Sequence, residues 1–587
     1  MKKFVHLFNK SNRKSIIIFI ILNIILVFVE TFSIALIPLA IDLIVSENPL
    51  IYKYFDFNNY GLIEMEQKEI LVFGSIFFIL LFVLKNIYVL GIVTFQETLY
   101  KRFSLQLKEK FYSLYINAPL EIINNYNSSQ ILRNTDSETT EYLNNFFFIL
   151  KTAKDLFLFI SIFILLLFAD FKSTIIAILF LIFFLIVYVF VFFKKLRKLG
   201  ENRMKAKNYF IKWLMQSLSS LKNIKISKRE NVTITKFNQI VDMFEDARKK
   251  INIIKVVPNS LFEVAFVIVL FFSIFIISVS EIKNILPIVS LYVVSFLRLL
   301  PIFSRFGTTI SALRTSYPSV LHLNSEFLSL EKYKSEERKN FNKDEIIKFE
   351  KNIEIAKVSF KYLNHKKEIF NDLNLSIEKG KAIGFVGKSG SGKTTLVNLL
   401  CGLIYPSSGE IKSDGVNIQN NLDKWQKKIG LVPQENYLLD DTILNNITFL
   451  NDEKKIDEKK LQDALHYSGA SEIIKDQDNG IDTIVGERGS FLSGGQVQRI
   501  ALARLLYEDP EILILDEFTN SLDPENEDFI LKQLQLLKKD QNKNLIIITH
   551  KIKPLKICDE IIVMDQGKIL TKYNFEDFYK KYGVIYD

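Results

Sequence analysis

The stretch GKSGSGKTT, Gly387 to Thr395, contains the residue types best suited to holding a nucleotide. It fits the pattern G-x-x-x-x-G-K-[ST], with the apolar strand KAIGFV before it and the helix TLVNLL after it. Gly387, Gly390 and Gly392 let backbone amides wrap a phosphate, with Lys388, Ser389, Ser391 and Thr395 completing the loop. Lys393 is expected to neutralise the β- and γ-phosphates, and the Thr394 hydroxyl to ligate Mg²⁺. Farther along, EILILDE (Glu511–Glu517) is an apolar strand ending in two carboxylates. Alone, these acids would read as a strand end reaching water, because buried carboxylates are costly. Beside a phosphate loop, Asp516 can hold the metal and Glu517 can polarise the attacking water. A nucleotide and Mg²⁺ are the expected ligands of such a loop.

Further motifs after Asn352 make the pattern specific. LSGGQ (Leu492–Gln496) stands about twenty residues before the acidic strand and resembles the signature of ATP-binding-cassette (ABC) proteins. That resemblance implies roles for other residues. Tyr362 in VSFKY matches the aromatic that stacks on adenine, and Gln434 in GLVPQ matches the glutamine that links Mg²⁺ to the membrane domain. NSLD (Asn520–Asp523) matches the loop that crosses the dimer interface, and His550 in IIITH the histidine on the γ-phosphate. Alone, Tyr362 and His550 would read as a core aromatic and a strand-end histidine. TIVGERG (Thr483–Gly489) resembles a segment typical of the exporter branch. The departures are Asn520-Ser521 for the commoner Ser-Ala, Phe518 for a small residue, and HKIKPLK after the histidine. None removes a catalytic group.

The family resemblance implies that ATP is sandwiched between two cassettes. Ser493, Gly494, Gly495 and Gln496 of one copy would then face the phosphate loop of the other, aided by a helix N-terminus. One chain carrying a complete set implies a homodimer, with a heterodimer as the alternative.

A different kind of sequence must anchor this machinery. The chain has 587 residues, 49% hydrophobic, with 51 Phe. Between Ile92 and Phe306 the only glycine is Gly200, so the N-terminal half reads as long helix, whereas glycines punctuate the sequence after Gly380. Runs of about 20 apolar residues cross a bilayer. Six are found, at roughly Ser15–Val45, Ile70–Phe95, Phe146–Ala169, Ser173–Phe193, Val256–Val279 and Ile285–Phe303. The first is too long for a cleaved signal peptide and lacks a small-residue cleavage site. The formal charge is +10, but Lys2, Lys3, Lys10, Arg13, Lys14, Lys194, Lys195, Arg197 and Lys198 flank apolar runs. That is the positive-inside pattern rather than a nucleic-acid surface. The two cysteines, Cys401 and Cys558, have no metal-ligand spacing and are too few for a disulfide framework, which points to a reducing compartment.

The expected fold is therefore a membrane all-α domain of six transmembrane helices with long cytoplasmic extensions, followed by an α/β P-loop ABC ATPase domain. The expected boundaries are 1–325 for the membrane domain, 326–350 for a linker and 351–587 for the cassette. Reversals in the cytoplasmic extensions are expected at INAPLEIINNYNSSQ (Ile116–Gln130) and NIKISKRENV (Asn223–Val232). ADFKS and SEIKN read as tight outer links, and Glu47–Glu69 as an aromatic segment on the membrane surface. The implied location is a bacterial inner membrane, multi-pass, with the N-terminus and the ATPase domain in the cytoplasm.

Cargo is the open question. Ionisable groups inside a bilayer are costly and suggest function. Glu30, Lys85, Glu263 and Arg298 fall within the apolar runs, and Arg305 stands just past the last of them. Lys85 and Arg298 lie roughly 23 Å from the outer surface at about 1.5 Å per residue, in the cytoplasmic half of the membrane. Lys85, Arg298 and Arg305 are candidates to hold the phosphate groups of an inner-leaflet lipid. The structural alternative has Arg305 snorkelling to headgroups and Glu263 neutralising Lys85 or Arg298. FVETFSIALIPLAI and FLRLLPIFSR resemble bacterial flippases of lipid-linked oligosaccharides, which implies an anionic glycolipid cargo and contact with membrane lipids. Lipid A, peptides and drugs are the alternative cargoes, and an ATP-gated channel or sensor is the alternative class.

Overall fold

A computed structural model describes residues 10–45, 67–279, 285–339, 346–363, 367–449 and 456–586. The predicted surface segment Glu47–Glu69 and the link SEIKN fall almost wholly outside these. The chain divides into two compact units. One comprises Met1–Ala118 and Tyr126–Lys332, the other Pro119–Asn125 and Tyr333–Asp587.

The first unit is built from α1 (Lys10–Val45), α2 (Gln67–Ile116), α3 (Thr139–Ala169), α4 (Phe171–Ser219), α5 (Glu230–Val279) and α6 (Ile285–Lys339). By length and composition, six helices among the described residues can cross a membrane. Leu158, Ile162 and Leu166 of α3 pack with Phe266 of α5 and with Tyr292, Leu299 and Phe303 of α6. Outward-facing positions such as Phe28, Leu80, Phe168 and Phe190 remain apolar and exposed, as a helix bathed in lipid requires.

The tight link ADFKS forms as expected. Asp170 is extended, and its carboxylate accepts the Ser173 amide at 2.9 Å, capping α4. The cytoplasmic reversals also fall where the polar segments predict them. Asn117 to Pro119 ends the α2 run before a short helix at Leu120–Ile123, and a second short helix occupies Leu221–Ile226. Pro119 starts its helix without needing an amide donor. Gly200 explains its isolation: a Cβ there would lie 2.4 Å from the Thr315 carbonyl oxygen, so α4 meets the α6 backbone directly.

The second unit holds two sheets. The antiparallel one has the order β2-β1-β4-β5, from β1 (Asn352–Phe360), β2 (Phe370–Glu378), β4 (Ser408–Ser413) and β5 (Val416–Asn417). The larger has the order β10-β9-β3-β8-β7-β6. Its strands are β3 (Ala382–Val386), β6 (Ile429–Val432), β7 (Ile512–Asp516), β8 (Asn544–Ile548), β9 (Glu560–Asp565) and β10 (Lys568–Tyr573). All its pairings are parallel except β9 with β10. Strands β3, β7 and β8 are buried along their whole length, as continuous apolar runs require in a sheet covered on both faces. Alternation divides them between two cores: Leu513, Leu515, Leu545 and Ile547 enter one, and Ile512, Ile514, Ile546 and Ile548 the other. Cys401 and Cys558 are free and buried, and burial pushes both thiols up to about 12.

Candidate active site

Parallel strands deliver their carboxyl ends to one edge of a sheet, and that edge is where ligands bind in doubly wound folds. Here β3, β8, β7 and β6 are consecutive neighbours. Each is followed within two residues by a predicted site group: Gly387 and the phosphate loop after β3, His550 after β8, Glu517 after β7 and Gln434 after β6. Sheet topology therefore gathers residues that are up to about 160 positions apart in sequence.

The phosphate loop leads into α7 (Lys393–Leu400) through Gly392 at φ +102°, a backbone conformation that favours glycine. Lys393 is buried and folds back on its own loop, donating to the carbonyl oxygens of Gly387 at 2.6 Å and Lys388 at 3.1 Å. Burial holds its ammonium below the usual lysine range, and the nearby Glu517 and Asp516 carboxylates oppose that shift. Tyr362 packs edge-on to Phe360, and its hydroxyl is 3.3 Å from Thr395 Oγ1, which fixes the aromatic beside the loop.

Asp516 is 5% exposed. Burial and the adjacent Glu517 raise its carboxyl to about 6, against the opposing effects of Lys393 and a hydrogen bond from Thr394. The Thr394 hydroxyl and the Asp516 carboxylate thus meet directly, two oxygen donors of the kind that a hard dication prefers. This pairing fits Mg²⁺.

Glu517 has φ +51°, a strained conformation for a non-glycine residue, and its amide donates to Ile548 O at 2.8 Å. Its side chain is held from three sides. Gln434 Nε2 donates to Oε2 at 2.8 Å, Asn520 Nδ2 donates to the same oxygen at 2.9 Å, and His550 Nε2 lies 3.3 Å from Oε1. The bond from Asn520 is new. Sequence reading marked this residue as a departure, and the structure gives it a partner in the carboxylate expected to polarise water.

The signature residues are organised differently. Ser493 caps α8 (Gly494–Tyr507) in a reciprocal box: the Gln496 amide donates to Ser493 Oγ at 3.3 Å, and the Ser493 amide to Gln496 Oε1 at 2.9 Å. Gly494 and Gly495 lie against Ser521, where added Cβ atoms would come within 3.2 Å and 3.1 Å. Among the described residues, no hydrogen bond joins Ser493–Gln496 to the phosphate loop of the same chain.

The intramembrane cations find partners that the sequence did not reveal. Arg298 Nη2 lies 2.8 Å from Oε2 of the buried Glu30, rather than pairing with Glu263. Arg305 makes a two-pronged contact with Asp155, Nε to Oδ2 at 2.9 Å and Nη2 to Oδ1 at 3.0 Å. These four residues line a cavity of about 360 Å³, together with Lys151, Lys154 and Glu97. Lys85 instead lies over the Phe82 ring, 4.4 Å from its centroid. Asp155 lies inside the Phe146–Ala169 run beside Lys151 and Lys154, and its spacing along that run does not point to Arg305.

A family model described as ABC transporter matches residues 370–520. The ATP-dependent lipid A-core flippase of Vibrio parahaemolyticus is 37% identical over 249 residues, 42% of each chain. The alpha-hemolysin translocation ATP-binding protein HlyB of Escherichia coli O157:H7 is 40% identical over 235 residues, 40% of this chain and 33% of that one. A putative multidrug export ATP-binding/permease protein of Staphylococcus aureus is 40% identical over 232 residues, 39% of each. The matched stretches thus span two-fifths or less of these relatives' length, apart from the flippase at 42%. The solved structure of a bacterial Atm1-family ABC exporter with ATP bound superposes with a TM-score of 0.76 at 19% identity, over 98% of this chain and 97% of that one. The chain therefore carries an ABC transporter domain behind a membrane half with the architecture of an ABC half-exporter.

Proposed function

We propose that the protein is an ATP-driven exporter, working as a homodimer in a bacterial inner membrane with its N-terminus and cassette in the cytoplasm. The observation that supports this most directly is the convergence of Lys393, Asp516, Gln434, Glu517 and His550 at adjacent strand ends, in a chain that also carries six spans. In this reading ATP draws Lys393 off the carbonyls of Gly387 and Lys388, since a phosphate is a stronger partner for an ammonium than a neutral oxygen. Thr394, Asp516 and Gln434 would hold Mg²⁺, which neutralises phosphate charge when bound. Glu517, steadied by Asn520 and His550, orients and polarises the attacking water. Ser493, Gly494 and Gly495 serve the site of the second copy, where the capped N-terminus of α8 presents amides to the γ-phosphate. A Lys393→Ala subunit mixed with a Ser493→Arg subunit should then recover part of the ATPase activity that neither has alone. Heterodimers that form and stay inactive would refute the shared site.

The proposed cargo is an anionic amphiphile, with a lipid-linked oligosaccharide as the specific candidate. The named relatives are a lipid A-core flippase, a hemolysin translocation protein and a putative multidrug exporter, so the comparisons support export without choosing a cargo. The charged cavity favours an anionic one. Arg298 and Arg305 would exchange Glu30 and Asp155 for cargo phosphate during transport, while Lys85 has no carboxylate in direct contact among the described residues. The test is translocation of a labelled lipid-pyrophosphate oligosaccharide in proteoliposomes, with ion conductance recorded alongside. Hydrolysis-dependent translocation without conductance is expected. Conductance gated by ATP without translocation would overturn the exporter reading.

A further inference from the structure

We propose that the groove between α1 and α2 is a binding site for an anionic lipid of the cytoplasmic leaflet, with its phosphate on Lys85 and a hydrocarbon chain along Phe28, Phe32, Phe77 and Leu81. The groove encloses about 550 Å³, and among the described residues Lys85 is the only charged one in its lining. Lys85 is 9% exposed. Among the described residues its ammonium has no ion pair and no hydrogen bond, only the Phe82 ring. An ammonium at this depth is costly unless something compensates it. The two arginines of the neighbouring cavity have their compensation within the protein, in Glu30 and Asp155. Lys85 has no carboxylate in contact, since the nearby Glu30 is engaged by Arg298, and the groove opens to the bilayer through residues as exposed as Phe28 and Leu80. A fitting occupant therefore combines an anion with apolar bulk.

Polarity of the helices sets the orientation. With the N-terminus of α1 in the cytoplasm, α2 runs inward, and Lys85 lies at the inner end of the groove. Phe77 is eight residues earlier, about 12 Å toward the outer side. A headgroup on Lys85 with its chain running toward Phe77 has the orientation of a lipid in the cytoplasmic leaflet. The inference rests on the proposed reading for this membrane orientation, and does not depend on which cargo is moved.

The test uses the full-length chain in nanodiscs without nucleotide. Leu81→Trp places a fluorophore in the groove wall, and the parent signal from Trp213 and Trp425 is subtracted. Quenching is compared for dibrominated phosphatidylglycerol and dibrominated phosphatidylcholine in the same phosphatidylcholine background. A charge-assisted contact predicts about tenfold preferential occupancy by phosphatidylglycerol. Lys85→Arg should keep that preference, and Lys85→Gln should abolish it while the protein stays folded and dimeric. Equal quenching by the two lipids would overturn the proposal, leaving the groove with ordinary annular lipid. Quenching by neither, with Leu81→Cys cross-linking two copies, would also overturn it, since the partner subunit would then be the occupant. ATP-dependent translocation is measured separately on the same protein. Selective quenching without translocation would refute the exporter reading alone, and translocation with equal quenching the groove alone.

Discussion

Asp516 makes the site's electrostatics measurable without any cargo. Burial and Glu517 raise its carboxyl from the ordinary 3.8 to about 6. The unfolded chain gives up this proton near pH 4, whereas the folded chain keeps it to about pH 6. Stability in the absence of ligand is therefore lost as pH rises from about 4 to 6, and stays lost above that. At about 1.4 kcal/mol per pH unit, the loss is about 3 kcal/mol. Asp516→Asn removes the charge and keeps the shape. Above pH 7 the ligand-free variant should be about 3 kcal/mol more stable than the wild type, and at pH 4 the two should coincide. For a domain of this size that is a rise of roughly 6–12 °C in the cassette transition. Thermal unfolding of the full chain in detergent, followed from pH 4 to 8, provides the measurement. Adding ATP and Mg²⁺ should stabilise the wild type far more than the variant, because the carboxylate that is costly alone is the one proposed to serve the metal. A stabilisation equal at pH 4 and pH 8 would refute the electrostatic account, and leave packing as the cause.

Other perturbations separate the remaining roles. Glu517→Gln should bind ATP with near-normal affinity while turnover falls by orders of magnitude, so nucleotide binding and phosphate release measured together test its part in hydrolysis. Asn520→Ala removes one of two donors on Glu517 Oε2, and should lower kcat about tenfold with little change in the KM for ATP. A change confined to KM would make Asn520 a binding residue instead. Gly200→Ala sets a methyl group against the Thr315 backbone and should lower the thermal midpoint of the membrane unit by several degrees, with ATP binding intact.

The cassette was legible because its chemistry is local. A phosphate needs consecutive amides, and a metal needs an acid at a strand end, so Gly387–Thr395 and Asp516–Glu517 show in short windows. The roles of Gln434 and His550 could be assigned only by resemblance, because their meaning depends on neighbouring strands that lie far apart in sequence. The interaction of Asn520 with Glu517 had no sequence signal beyond an unusual residue. Its partner is three positions away, across a turn in which Glu517 adopts a positive φ at the end of β7, a conformation that its sequence does not announce.

The membrane half was legible in a different way. Hydropathy located the spans and the scarcity of glycine the long helices, but the close approach of Gly200 to the Thr315 backbone shows only in the structure. Charges inside the spans were visible as costs, but a cost does not name its partner. Glu30 and Arg298 are 268 positions apart, and Asp155 and Arg305 are 150. Which carboxylate answers which arginine depends on how α1 and α3 rotate against α6, and this rotation leaves no trace in spacing along one helix. The pairing also changes how the cations can act. A guanidinium held at both ends by Asp155 can receive cargo phosphate only by giving up a comparable partner, so its net gain is small and its release is easy. In the proposed reading, Lys85, with no carboxylate in direct contact among the described residues, can take an anion without giving up an ion pair. On the proposed reading, the arginines of this membrane unit would serve exchange and the lysine capture.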